Sequence, residues 1–414
     1  MFTRRLANAL GTSTLFVLLA STLSAQTLAT GDARKLIPEP RYPIVCTALQ
    51  AQFSSTQRAS PPASDDTTRL ASALSSCSGS GKAVLLLASG SNDAFYSGKL
   101  SLNGEALIVG RGVTLFGNNT YGSSGELISI SGNSPAIFGP GVIDGRGDLI
   151  SGTPRLINSK NAVGLTVYRV TLRHAAKMHL YVEGGSDFTA LRVRIETPAN
   201  TKNTDGIDID SLTNATVAFS SIEDGDDGVA IKTNSGPASN ITIRDNRFYG
   251  THGISIGSQT MRGVTNVLFE DNMLFGTDKF GNVSTDNNGI NIKSDYDCGG
   301  LVKQVTYRQT HLTGIKHLLI FNTSYGSCSG TKGIPVYQDI VVDGVYARDS
   351  QSGAYSEFEG YNAANPLELY LAHVYLDVNN QQSSQYANVG LDDSTITPAG
   401  TGVTTFLFNL HHDE

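Results

Sequence analysis

The sequence predicts an all-β fold, a single-stranded right-handed parallel β-helix with a short helix capping its N-terminal end. Three observations carry this. A phrase built from a polar residue, a glycine and an alternating apolar strand recurs four times. It stands at Asp205-Gly206-Ile207-Asp208-Ile209, Asp227-Gly228-Val229-Ala230-Ile231, His252-Gly253-Ile254-Ser255-Ile256 and Asn288-Gly289-Ile290-Asn291-Ile292, with heads 22, 25 and 36 residues apart. A second series, starting at Leu165, Phe188, Ala215, Ile241, Val267, Val305 and Ile340, recurs at 23, 27, 26, 26, 38 and 35 residues. Finally, 44 glycines with little helical periodicity supply corners for many short strands. Periods near 25 fit a stacked coil, whereas propeller blades need about 40–50 residues each.

In chain order, residues 1–25 read as a secretory signal: Arg4 and Arg5, an apolar run from Leu15 to Leu23, then a cleavage point at Ser24-Ala25. That run is well short of the roughly 20 residues needed to span a bilayer. One β-helix domain is expected over 26–414, and losing the two arginines moves the formal charge from −7 to −9. Past Pro38, Pro40, Pro43 and a Ser-rich stretch from Ser54 to Ser64, Asp65 and Asp66 can cap a helix carrying Leu70, Ala73, Leu74 and Cys77 on one face. Such a helix would close the open apolar end of a solenoid. From Lys82 onward β-branched runs alternate with Gly, Asn and Ser turns. Gln351 to Glu414 holds final coils and a polar tail.

Strand alternation sends Ile207 and Ile209, Val229 and Ile231, Ile254 and Ile256, and Ile290 and Ile292 inward. The outward set is Gly206, Asp208 and Asp210; Gly228, Ala230 and Lys232; Gly253, Ser255 and Gly257; Gly289, Asn291 and Lys293. A glycine at the first outward place of each rung is expected to leave a bare trough floor suited to a long substrate. Seven positions into each member of the second series come Leu172, Ile195, Ile222, Phe248, Leu274, Leu312 and Ala347. Asp226 lies four residues after Ile222, and His252 four after Phe248. Two separately counted repeats therefore place carboxylates and an imidazole at equivalent corners of neighbouring coils.

Asp205, Asp226 and Asp227 cannot all ionise freely at close range, so one is expected to hold a proton while its neighbours act as bases. Glycosidic hydrolysis requires that division, and His252 could tune the acid. Asp-Gly is also a common turn former, and an acidic cluster can bind Ca²⁺ through oxygen; a calcium-dependent lyase and a non-catalytic binding module are the readings from other classes. An acidic chain without a basic run argues against a nucleic-acid partner, and no stretch argues for a membrane. No cofactor or metal is required; a monomer is the default. Four cysteines allow three connectivities, and the sequence-near pairs Cys46 with Cys77 and Cys298 with Cys328 are expected. Asn118, Asn214, Asn240, Asn282 and Asn322 begin glycosylation sequons.

Asn203-Thr204-Asp205, Gly225-Asp226-Asp227, Thr251-His252-Gly253 and Asn291-Ile292-Lys293, in this order, resemble the four motifs of the polygalacturonases, glycoside hydrolase family 28. Gly139 to Gly145 resembles the family's early coil, and the similarity runs from about Cys46 to at least Gly344. The resemblance implies a pectin-lyase-like solenoid. It also implies a secreted, inverting endo-hydrolase of α-1,4-linked galacturonic acid in pectin, with exo-acting, rhamnogalacturonan and xylogalacturonan hydrolases as family alternatives. By position Asp226 would be the general acid, Asp205 and Asp227 would activate water, and His252 would support the acid. Lys293 would meet a substrate carboxylate, with Asn203, Asp208, Lys232, Asn291 and Tyr325 lining the trough. Two residues depart from the pattern: Asn291 replaces an arginine, removing a bidentate carboxylate clamp, and Thr251 replaces a glycine. Either Lys293 suffices, another cation such as Arg262 swings in, or the preferred sugar at that subsite is modified.

Overall fold

The computed structural model describes residues 30–328 and 333–410, so the signal reading of 1–25 lies outside the described residues. Within them 33 strands wind into one right-handed coil, hydrogen-bonded in sets of 11 and 22 strands. All strand ladders along the site sheet are parallel. The second repeat series is in register along both of its rows: Phe188, Ala215, Ile241, Val267, Val305 and Ile340 form one. Leu172 through Ala347 form the other.

The 11-stranded sheet carries the site. Its central strands are Leu180–Glu183, Ile207–Asp210, Val229–Lys232, Ile254–Ile256, Asn288–Lys293 and His317–Asn322. Ile207, Val229, Ile254, Ile290 and Leu319 stack as one fully buried row, and Ile209, Ile231, Ile256, Ile292 and Phe321 as the next. Each such side chain contributes about 1.5–3 kcal/mol of burial, and none could be buried by its own coil alone. The rows therefore stack coils about 4.8 Å apart and put the residues at their heads side by side.

The glycines at those heads do something other than expected. A Cβ on Gly206 would meet the Gly228 carbonyl oxygen at 2.4 Å and Ile222 at 2.7 Å, and one on Gly228 would meet the Phe248 ring at 2.5 Å. They face the packed interior, and their bareness lets adjacent coils close on one another.

Helix Thr67–Cys77 buries Leu70, Ala73, Leu74 and Cys77 against the first coils. Its cap comes from one of the two expected aspartates: Asp65 accepts the Thr67 amide at 2.9 Å, while Asp66 makes no side-chain cap and turns to Arg69. Both expected disulfides, Cys46–Cys77 and Cys298–Cys328, are formed. The sequons have a structural use. The side-chain nitrogens of Asn118, Asn214, Asn240, Asn282 and Asn322 donate to Asp65, Asp187, Asn214, Asp278 and Glu357 in turn.

One element was not legible in advance. Residues 30–42, expected only as a Pro-rich lead-in, run as a strap across successive coils of the larger sheet. Gly31 donates to Asn266 at 3.0 Å, Asp32 takes Thr216 at 2.8 Å, Arg34 reaches the Phe188 carbonyl at 2.7 Å, and Tyr42 reaches Gly139 at 3.1 Å. Among the described residues no helix is long and apolar enough to cross a membrane.

Candidate active site

Three short connections deliver the central groups to one place. The turn between Ser221–Glu223 and Val229–Lys232 carries Asp226 and Asp227, the turn before Ile254–Ile256 carries His252, and the loop before Ile207–Asp210 carries Asp205. Acceptor atoms of Asp226, Asp227 and His252 lie within 4.8 Å of one another. The turns are held from several sides. The His252 amide donates to the Asp226 carbonyl at 2.6 Å, the Gly206 amide to the Asp227 carbonyl at 2.9 Å, and the Gly225 amide to Thr204 Oγ1 at 3.0 Å.

Each carboxylate has its own partner. Asp226 Oδ1 sits 3.2 Å from His252 Nδ1. Asp227 is held by Lys293 Nζ at 3.0 and 3.1 Å and by Ser255 Oγ at 2.7 Å. Asp205 Oδ2 lies 3.3 Å from Lys232 Nζ, which also contacts Asp208. Asn291 donates to Ser255 Oγ at 3.3 Å. Outward-facing as predicted, Asp208, Lys232, Asn291 and Lys293 are nonetheless all buried. They form a floor of paired polar groups rather than an open lining, with Asp208 set against Lys232. Tyr325 is half exposed with its ring 5.1 Å from Lys293 Nζ, consistent with a wall residue. Asn203 is exposed in a left-handed turn, φ +58°, on the loop before Asp205. Arg262 is exposed on the loop after Ile254–Ile256.

The protons are distributed differently from the sequence expectation. Asp226 was expected to hold one; burial pushes its carboxyl up, but His252 outweighs this and holds it down at about 2. Burial lowers His252 and the Asp226 carboxylate more than restores it, so its pKa ends raised. The charge balance favours a proton on the imidazole over one on Asp226, while the Asp286 amide aimed at Nε2 favours a ring protonated on Nδ1 alone. Asp205 is raised by burial and by Asp226 and Asp227 in spite of Lys232. Asp208 is pushed up to about 8 by burial and Asp205.

Three supporting groups escaped the sequence reading because they lie outside the repeated phrase. His179 is fully buried, which lowers its pKa to about 4, and its Nδ1 lies 3.1 Å from the Thr204 and Asp205 carbonyls. Asp224 is wholly buried and accepts the Asp226 amide at 2.9 Å. The loop between Met273–Phe275 and Asn288–Lys293 brings Thr285 Oγ1 and the Asp286 amide each to 3.3 Å from His252 Nε2. Only the Met178-His179 step preceding an apolar strand could have hinted at the first.

Similarity to known proteins agrees with this arrangement. The family model for glycosyl hydrolases family 28 matches residues 77–395. An endo-polygalacturonase of Pectobacterium carotovorum subsp. carotovorum is 34% identical over 83% of this chain and 89% of its own. A polygalacturonase of Ralstonia solanacearum is 30% identical over 95% and 91% respectively. The structure of the polygalacturonase from Erwinia carotovora ssp. carotovora superposes with a TM-score of 0.74 at 32% identity, covering 86% of this chain and 99% of that one. With the ordered motifs gathered at one sheet face, the chain belongs to glycosyl hydrolases family 28, the polygalacturonase family, and is a glycoside hydrolase.

Proposed function

We propose that the protein is a secreted endo-polygalacturonase, cleaving α-1,4 bonds between galacturonic acid residues of pectin with inversion. The observation that supports this best is the Asp226–His252 pair set beside Asp205 and Asp227 on adjacent coils. In this reading Asp226 delivers the proton to the leaving oxygen. Substrate binding excludes water and brings negative charge, both of which raise a carboxyl pKa, so the proton resting on His252 moves across the 3.2 Å contact to Asp226. Asp205 and Asp227 activate the attacking water; the Asp226 and Asp227 carboxylates come within 4.8 Å of each other, closer than the gap of about 6.5–9.5 Å expected between acid and base for inversion, so the stereochemical outcome rests on the family resemblance and not on this spacing. Lys293 orients Asp227 and can turn toward a sugar carboxylate, with Tyr325 beside it. Inversion is tested by following the anomeric signal of the first product by NMR. Endo action requires that the viscosity of polygalacturonate fall well before most reducing ends appear; monomer as the sole early product refutes it.

Secretion is supported by the leader pattern and by two disulfides, which persist in oxidising compartments. Finding the mature chain in the medium with its N-terminus near Gln26 is the test. The family assignment displaces the calcium-dependent lyase and the binding-only readings.

A further inference from the structure

Several coils before the catalytic one, the site sheet carries an arginine held ready but left without an acid. Strand Arg155–Lys160 lies beside Leu180–Glu183, with Asn158 opposite Tyr181 and Tyr181 in turn opposite Asp208. Those three residues share one outward row of the sheet. The Arg155 guanidinium lies over the Tyr181 ring, 3.8 Å from its centroid, and its Nη1 donates to Asn158 Oδ1 at 3.1 Å. The ring is fixed as well. Tyr181 is 6% exposed, and its hydroxyl donates to Asp210, which also accepts from Ser211 Oγ at 2.7 Å and Asn234 Nδ2 at 2.6 Å. The guanidinium is thus laid flat on the groove face with one nitrogen engaged and the rest of its donors open.

The cations nearer the catalytic coil are matched: Lys232 and Lys293 are engaged by Asp205, Asp208 and Asp227. Glu126, opposite Arg155 in register, is taken by Lys99. Among the described residues no carboxylate pairs with Arg155, nor with Lys160, which is exposed at the other end of the same strand. The chain as a whole carries a formal charge of −7, so acids to neutralise them were not scarce. A flat guanidinium with a free edge matches a carboxylate through two parallel hydrogen bonds, and it stays charged at any pH at which the enzyme would be assayed. Three coils separate Arg155–Lys160 from Val229–Lys232, roughly 14 Å. An anion bound there belongs to a unit of the substrate a few sugars away from the bond that is cut.

We propose that Arg155, braced by Tyr181 and Asn158, forms a distal subsite that grips the free carboxylate of one galacturonate unit and so sets the chain length the enzyme prefers. This rests on the polygalacturonan reading above and assigns a specificity residue to it. The test measures kcat and KM on galacturonate oligomers of increasing length and on polygalacturonate, at one pH and ionic strength, for the wild type, Arg155→Met and Arg155→Lys. Wild-type kcat/KM is expected to step up by about tenfold at the one length whose added sugar reaches Arg155. Arg155→Met, which keeps an unbranched stem over the ring, should match the wild type on shorter oligomers and lack that step. On the polymer its KM should rise with kcat unchanged. Arg155→Lys keeps the charge without the fork and should show a smaller step at the same length; it also carries the test if the methionine variant melts below the assay temperature. A step of wild-type size in either variant overturns the proposal, as does a loss that is equal at every length, which is what a purely structural role would give. A wild type that cuts all lengths with no step sinks this subsite alone. One that releases no reducing ends from any of these substrates sinks the polygalacturonan reading, and the subsite with it.

Discussion

Replacing His252 by alanine should move the alkaline limb of activity rather than scale activity down evenly. In the wild type the Asp226–His252 pair keeps its proton up to the raised pKa of the imidazole, above the ordinary 6.5. Without the ring, the proton must sit on Asp226, whose ordinary value is 3.8. At pH 6 a carboxyl of that kind is protonated in roughly one molecule in 160, and at pH 4 in about two in five. Burial of Asp226 raises its pKa once the cation is gone, which brings the loss in kcat/KM at pH 6 to between about 10- and 100-fold. At pH 4 the loss is only about two- to threefold. The assay is a reducing-end measurement on polygalacturonate across pH 3.5–7.5 at constant ionic strength. A His252→Ala variant whose alkaline limb stays where it was, with an equal loss at every pH, would refute the shared-proton argument.

Asp226→Asn should lower kcat by about 10²–10⁴-fold with KM little changed, because it removes the acid and not the groove. The same carboxyl, depressed to about 2, adds stability on the order of 2 kcal/mol above pH 3.8 that is lost as pH falls through 2; urea melts of Asp226→Asn and wild type at pH 6 and pH 2 should therefore differ only at the higher pH. Lys232→Met removes the cation beside the buried carboxyls of Asp205 and Asp208, which then hold their protons; the unsatisfied polar atoms left behind should cost about 1–3 kcal/mol, read by calorimetry. Arg34→Ala removes the strap's hold on the Asp187 and Phe188 carbonyls, so the melting temperature should fall while activity at 25 °C is kept. Chelator should leave turnover unchanged; loss with EDTA and recovery with Ca²⁺ would contradict a carboxylate-only mechanism.

How far the sequence reaches depends on whether a constraint repeats. Each coil must bury the same rows against its neighbours, so Ile207, Val229, Ile254 and Ile290 write their register into the chain, and with it the adjacency of Asp205, Asp226, Asp227 and His252. The fold and the inward rows follow from that regularity, whereas the two disulfides followed from the nearness of their cysteines in sequence. What only the tertiary structure decided are the pairings made across coils by single residues. Nothing in the spacing says that Lys232 lies between Asp205 and Asp208, that Lys293 holds Asp227, or that His179 braces Asp205 from behind. The same holds for the proton, which rests on His252 because a charge 3.2 Å away outweighs burial at Asp226. The strap of residues 30–42 was hidden for the same reason, since its partners lie up to 236 positions along the chain. Periodicity fixes which coils are neighbours; the balance of desolvation against a nearby charge is a property of distances, and those exist only once the chain has wound.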